Sequence, residues 1–183
     1  MLYIMRHGKT DWNEARRLQG SSDIPLNEDG KNMAKNARDE YKDVHFDVCF
    51  CSPLSRAYET AKLVLEDRCV PIIKDDRLKE MGFGKYEGTL CSFDDENCPI
   101  NIIFKDPKNY KESIDGSETF ESLFARTGEF IDSIVMPLVN EGKDVLIVGH
   151  GAMNSSIVCK IKNLPIEEFW SLGLKQCKLM KLL

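Results

Sequence analysis

The chain has 183 residues, 42% hydrophobic and 30% charged, with a formal net charge of −5. That balance fits one domain with a sizeable buried core, and it speaks against a general nucleic-acid binder or a membrane-surface protein, either of which would want a basic face. No apolar run approaches the roughly 18 residues of a membrane span, and the apolar part of MLYIMRHGKT is too short for a signal peptide, so a cytoplasmic location is expected.

In chain order, residues 2–5 form a short apolar run and predict a first strand. Asn27 can cap a helix over about 28–42, with Met33, Ala34, Ala37 and Tyr41 on one face. Residues 46–51 read as a second strand. Pro53 then suits a helix start, with Ala57, Ala61 and Val64 supplying the apolar side. Residues 70–73 are a further short strand. Residues 89–116 are irregular, with Asp94, Asp95 and Glu96 together and prolines at 99 and 107, and read as an insertion or lid with one short helix near 100–104. Ser117 is expected to cap the longest helix, to about residue 140, bent near its end by Pro137. Residues 145–148 are apolar throughout and predict a central strand covered on both faces. A helix over 152–162 and a late strand over 177–182 complete the chain. The alternation predicts an α/β fold, a three-layer sandwich with a mostly parallel central sheet and helices on both faces, in a single domain over 1–183.

The seven cysteines are scattered, with no C-x-x-C pair. They are expected to be reduced thiols, Cys49 and Cys159 in the core, and no metal site is expected.

Two histidines flanked by glycine follow strands: Arg6-His7-Gly8 and Gly149-His150-Gly151. Ligands in open α/β sheets bind beyond the carboxyl ends of the strands, so the two histidines are candidates for one pocket. Arg6 offers a planar fork that matches phosphate oxygens. Arg56 lies at the start of a helix, where an anion is favoured. Glu80 precedes the glycine-rich turn Met81-Gly82-Phe83-Gly84.

Taken together, Arg6 to Asn13, Leu26-Asn27-Glu28-Asp29-Gly30, Arg56, Glu80 to Gly88, Asp115 to Thr119 and Gly149-His150-Gly151 resemble the histidine phosphatase superfamily, with its phosphoglycerate-mutase-like fold. The likeness is clear from Tyr3 to about Ala152 and weak beyond. The resemblance implies that His7 is the nucleophile and that Arg6, Arg56 and His150 surround the phosphoryl group. It implies that Asn13, Gln19, Gly8 and Gly151 assist in binding phosphate or substrate, and that Glu80 is the general acid. It also implies a small phosphorylated metabolite as substrate, with no cofactor and no metal.

The turn after Glu80 resembles the phosphatase branch, including α-ribazole phosphatases, and lacks the Arg-His pair that follows the acid in the mutases. Phosphatase is therefore favoured over phosphoglycerate mutase, and a non-catalytic phospho-ligand module is the third reading. Lys9 stands where the family often has Glu or Gln, and Tyr86 where it has Trp. Trp12 and Phe83 are expected to be packing residues. Glu87 is set aside as the acid because the family pattern selects Glu80. The mixed content of Ile102, Ile103, Phe104, Lys105 and Tyr110 in the lid suggests a substrate with some apolar body. Oligomeric state is not legible.

Overall fold

The computed structural model describes residues 1–90 and 97–183. The first strand, β1 (Leu2–Arg6), is followed by the short helix α1 (Asp11–Glu14) and by α2 (Glu28–Glu40). Then come β2 (Val48–Cys51), α3 (Ser55–Val64) and β3 (Ile72–Lys74). A short helix α4 (Ile102–Lys105) precedes α5 (Phe120–Phe130) and α6 (Met136–Asn140). The chain closes with β4 (Val145–Gly149), α7 (Gly151–Lys162) and β5 (Leu179–Lys181).

The sheet runs β3-β2-β4-β1-β5. The first four are parallel where they pair, and β5 is antiparallel to β1. β4 is central and buried along its whole length, as its continuous apolar sequence requires. Side chains alternate between two cores, as strand geometry dictates. Leu2, Ile4, Phe50, Val145 and Ile147 face one side and pack with Leu123, Phe130 and Ile157 of α5 and α7. Tyr3, Met5, Cys49, Cys51, Leu146 and Val148 face the other and pack with Ala34, Ala37, Ala61 and Val64 of α2 and α3. This is the three-layer α/β sandwich. Among the described residues no helix is long and apolar enough to cross a membrane.

The helix expected over 117–140 differs in two ways. Thr119, not Ser117, is its cap, accepting from the Ser122 N–H at 3.2 Å. The Ser117 hydroxyl is already held in a buried cluster with the Tyr110 hydroxyl and the Ile114 carbonyl. The helix also widens into a π turn over Ile131–Val135 before α6. Pro137 has no N–H to give the carbonyl four residues back, so the ladder there must shift.

The helix after β2 begins at Ser55, two residues beyond Pro53. Residues 97–116 fold onto the α5 face, with Ile100, Ile103 and Tyr110 buried. The acidic cluster Asp94, Asp95 and Glu96 lies outside the described residues. Cys98 is disulfide-bonded, so the expectation of reduced thiols fails there, whereas Cys49, Cys51, Cys69, Cys159 and Cys177 are free.

Candidate active site

β1 and β4 are parallel and in register, with Arg6 opposite Gly149. The residue after each strand is therefore brought alongside the other, and the His7 N–H donates to the Gly149 carbonyl at 2.9 Å. The rings of His7 and His150 stand 5.1 Å apart at 62°. Both are buried.

His7 Nδ1 lies 2.6 Å from the Gly8 carbonyl oxygen. A carbonyl can only accept, so Nδ1 carries the proton and Nε2 keeps the free lone pair. Burial, then the charges of Arg56 and Arg6, hold His7 well below the ordinary imidazole pKa, and the hydrogen bond to Gly8 opposes them. Burial and Arg56 do the same to His150, with further contributions from His7, Arg6 and Arg126. Both rings are thus neutral at pH 7.

Two guanidinium groups adjoin the histidines, and backbone carbonyls hold both. Arg6 donates to the Leu174 carbonyl at 3.3 Å. Arg56, fully buried in the first turn of α3, donates to the carbonyls of Gly20 and Ser22, each at 2.7 Å. The loop carrying those carbonyls is itself clamped. Glu87 accepts from the N–H and hydroxyl groups of both Ser21 and Ser22, and from the Phe83 N–H at 3.0 Å. Burial pushes the Glu87 carboxyl pKa up, but these donors outweigh it and the net shift is downward. Gly20 sits at φ +56°, and a Cβ there would collide with the Glu87 carboxylate.

Arg6 Nε, Arg56 Nε and both ring nitrogens of His150 are buried without a partner in the protein. Buried polar groups are normally paired, so two arginines and a histidine with unpaired nitrogens beside His7 mark a place suited to an anion.

Glu80 points into the same place. One carboxylate oxygen accepts from the N–H groups of Met81 and Met153, each at 2.9 Å, and the other from Ala152 at 3.2 Å. The α7 N-terminus thus orients this carboxylate. Gly151 lies beside both groups: a Cβ there would make ordinary contact with Glu80 Oε2 at 3.6 Å and Arg6 Cζ at 3.7 Å.

Asn13 lies in the first turn of α1, where Thr10 is the cap. Its carbonyl oxygen accepts from the Thr10 N–H at 3.2 Å and from Gln176 Nε2 at 2.9 Å. The backbone donor fixes the flip of the amide, so its NH2 group is left to donate. Gln19 accepts from the Thr10 hydroxyl at 2.8 Å, which leaves its own NH2 group in the same position.

These residues line one pocket of about 430 Å³. Its polar side is Arg6, His7, Asn13, Gln19, Arg56 and Glu80. Leu18, Phe83, Phe104, Ala152, Trp170 and Leu174 form an apolar side. The Trp170 indole N–H donates to the Ile103 carbonyl at 2.7 Å, which fixes that wall.

Of the nine residues expected to form the site, Gly8 and His150 do not line the pocket. His150 lies against His7. Gly8 serves packing instead. Its N–H donates to the Thr60 hydroxyl at 3.0 Å, and a Cβ would meet the Gly30 carbonyl oxygen at 2.5 Å. The glycine is therefore required by the close approach of the chain after β1 to α2. Phe83, expected only to pack, is also part of the wall. Lys9 bonds Asp29 at 3.2 Å and stays outside the pocket. Tyr86 bonds Asp115 at 2.5 Å. Trp170, Leu174, Ser155 and Arg16 line the pocket without any sequence signal that points to them.

A second group of possible ligands, His45, Asp47 and Asp144, sits at the amino ends of β2 and β4, away from the pocket. Its carboxylates already pair with Met1 and Lys143.

The family described as the histidine phosphatase superfamily (branch 1) matches residues 2–183, well past the point where the likeness fades to the eye. Phosphoserine phosphatase 1 of Hydrogenobacter thermophilus is 30% identical over 94% of this chain and 81% of its own. A 2,3-bisphosphoglycerate-dependent phosphoglycerate mutase of Cytophaga hutchinsonii is 28% identical over 92% of this chain and 80% of its own. The solved structure of Bacillus stearothermophilus YhfR superposes with a TM-score of 0.86 at 31% identity, covering 97% of this chain and 88% of that one.

Proposed function

Because the chain belongs to the histidine phosphatase superfamily, branch 1, we propose that it is a phosphoric monoester hydrolase that acts without a metal ion through a phosphohistidine formed at His7. The observation that carries this reading is the state of His7. Its Nδ1 proton is committed to the Gly8 carbonyl, and burial beside two arginines keeps the ring neutral. Nε2 is thus an unprotonated nucleophile at neutral pH.

In the first step Nε2 attacks phosphorus, and the bond from phosphorus to the ester oxygen breaks. Arg6, Arg56 and His150 stabilise the phosphoryl oxygens, so that cationic and N–H donors do the work a divalent cation does elsewhere. The NH2 groups of Asn13 and Gln19 add two donors. Glu80 gives its proton to the departing alkoxide, which is otherwise a poor leaving group. In the second step Glu80 takes a proton from water as the water attacks phosphohistidine, which releases inorganic phosphate and restores His7.

We read residues 1–183 as one domain with a lid at about 89–116, of which the described residues 97–116 carry Phe104 to the pocket. The wall of Phe83, Phe104 and Trp170 supports a small metabolite whose leaving group has an apolar body. Phosphoglycerate mutation is the second reading, favoured by Arg16, a further cation on the same pocket. Arg17 lines the pocket too, with one N–H given to the Gly88 carbonyl. Against this reading, Glu80 is followed by Met81-Gly82-Phe83 without the Arg-His pair.

The test is phosphate release from a panel of phosphomonoesters in EDTA, with trapping of an acid-labile, base-stable label on His7. Turnover and labelling are expected. Interconversion of phosphoglycerates with a bisphosphate primer and no net release would favour the mutase, and silence in both assays would leave a phospho-ligand binding module.

A further inference from the structure

Glu80 can act as acid and base only if its carboxyl is aimed at the leaving oxygen, and its own side-chain contacts secure only one end of that aim. The main chain that carries it, residues 79–83, is an irregular segment between a 3-10 turn at Asp76–Leu78 and another at Gly84–Tyr86. Such a segment has no helix or strand ladder to fix it. What fixes it here is Arg126, on α5.

The Arg126 guanidinium has five N–H groups, and all five are used. Nη1 donates to the carbonyls of Arg77 at 2.6 Å and Lys79 at 2.8 Å. Nη2 donates to the Glu80 carbonyl at 3.3 Å and to Glu118 at 2.9 Å. Nε donates to the other Glu118 oxygen at 2.7 Å. Glu118 extends the grip past Glu80. Its carboxylate accepts from the Gly82 N–H at 3.3 Å, and its own N–H donates to the Gly82 carbonyl at 2.8 Å. The Glu118–Arg126 pair therefore holds the main chain on both sides of Glu80 from one direction. The Glu80 carboxylate meets the N-terminus of α7 from the other.

We propose that Arg126, with Glu118, is a positioning residue for the general acid: it touches no substrate and sets the direction of Glu80. The inference rests on the phosphatase reading above. A lysine cannot replace this arginine, because an ammonium has three donors and no planar fork to span three carbonyls and a carboxylate.

The test compares kcat/KM for an alkyl phosphate and for p-nitrophenyl phosphate in Arg126→Lys and Arg126→Met, alone and combined with Glu80→Gln. kcat/KM ends at the first phosphoryl transfer, where only the alkoxide needs the proton. The expected result is a loss of about 10–100-fold on the alkyl ester and under about 3-fold on the aryl ester. In the Glu80→Gln background the same change should cost the alkyl ester nothing further, because both act through one group. Equal losses on the two esters, or full losses persisting in the Glu80→Gln background, would overturn the proposal and leave Arg126 a structural residue.

If the Arg126 variants do not fold, Glu118→Gln loosens the same clamp and is read in the same way. If the wild-type enzyme itself shows no extra dependence of alkyl esters on Glu80, the catalytic reading falls and this inference with it. A Glu80-dependent wild type with unselective Arg126 variants overturns this inference alone.

Discussion

The imidazole of His150 stands edge-on to that of His7, ring centres 5.1 Å apart, and both rings are buried beside Arg6 and Arg56. Each is held well below the ordinary histidine value, first by burial and then by Arg56. In the unfolded chain both titrate near 6.5. As pH falls below about 6.5 the unfolded state takes up two protons that the native state refuses, so stability is whole above that pH and is lost below it. His7→Gln should remove one of the two contributions. Urea unfolding at pH 7 and pH 5 should show the variant losing less stability than wild type, by up to about 1.4 kcal/mol per pH unit. An identical loss would mean that His7 takes up its proton in the folded state.

The same depressed value should be visible in turnover. In the proposed mechanism the nucleophile is the neutral ring, so the fall of kcat/KM on the acid side should begin not at about 6.5 but at lower pH. A pH profile with p-nitrophenyl phosphate, corrected for ionisation of the substrate, reads this directly. An acid limb at the ordinary histidine value or above would contradict the buried, arginine-flanked environment.

Glu80→Gln keeps the size of the side chain and an oxygen that the α7 N–H groups can bond, but removes the proton that in the proposed mechanism leaves with the alkoxide. kcat/KM for alkyl phosphates should fall by about 10²–10⁴, and that for p-nitrophenyl phosphate far less. Equal losses would assign Glu80 another role.

Glu87 has no place in the pocket, yet it holds the loop that supplies both carbonyl partners of Arg56. In Glu87→Ala five donors lose their acceptor. The expected cost is roughly 2–4 kcal/mol in denaturant unfolding, with a raised KM as Arg56 loosens. A variant of unchanged stability and KM would show that the Gly20–Ser22 loop holds its shape without the carboxylate.

The apolar wall makes a prediction about substrates. Phe104→Ala should raise KM by about tenfold for esters with an apolar or aromatic leaving group, in line with the loss of one buried aromatic contact. Glycerol phosphate, too small to reach the wall, should be little affected. A panel in which only small, highly anionic phosphates turned over would sink the idea of an apolar substrate body.

Much of the centre was legible in the chain itself. His7 and His150 each follow an apolar strand and are flanked by glycine, and strand ends in parallel sheets are where ligands bind. Local chemistry was enough there because each motif is contiguous. It failed where two local choices were equally good. Ser117 and Thr119 can both cap a helix, and Thr119 does so because Ser117 is drawn into the buried cluster with Tyr110. Nor did local chemistry show that Gly8 must be a glycine for its close contact with Gly30.

The order of apolar runs, turns and caps was sufficient to determine the α/β sandwich, and the strand-end motifs together with the family resemblance singled out the candidate reacting groups, because both are written in neighbouring residues. Only the tertiary structure decided what surrounds and aims those groups. Arg126 lies 46 residues from the Glu80 carbonyl it bonds, Glu87 lies 66 from Ser21, and Gln176 lies 163 from Asn13. Hydrogen bonds between groups so far apart in the chain leave no local pattern, since any arginine or carboxylate reads alike until packing shows which backbone it faces.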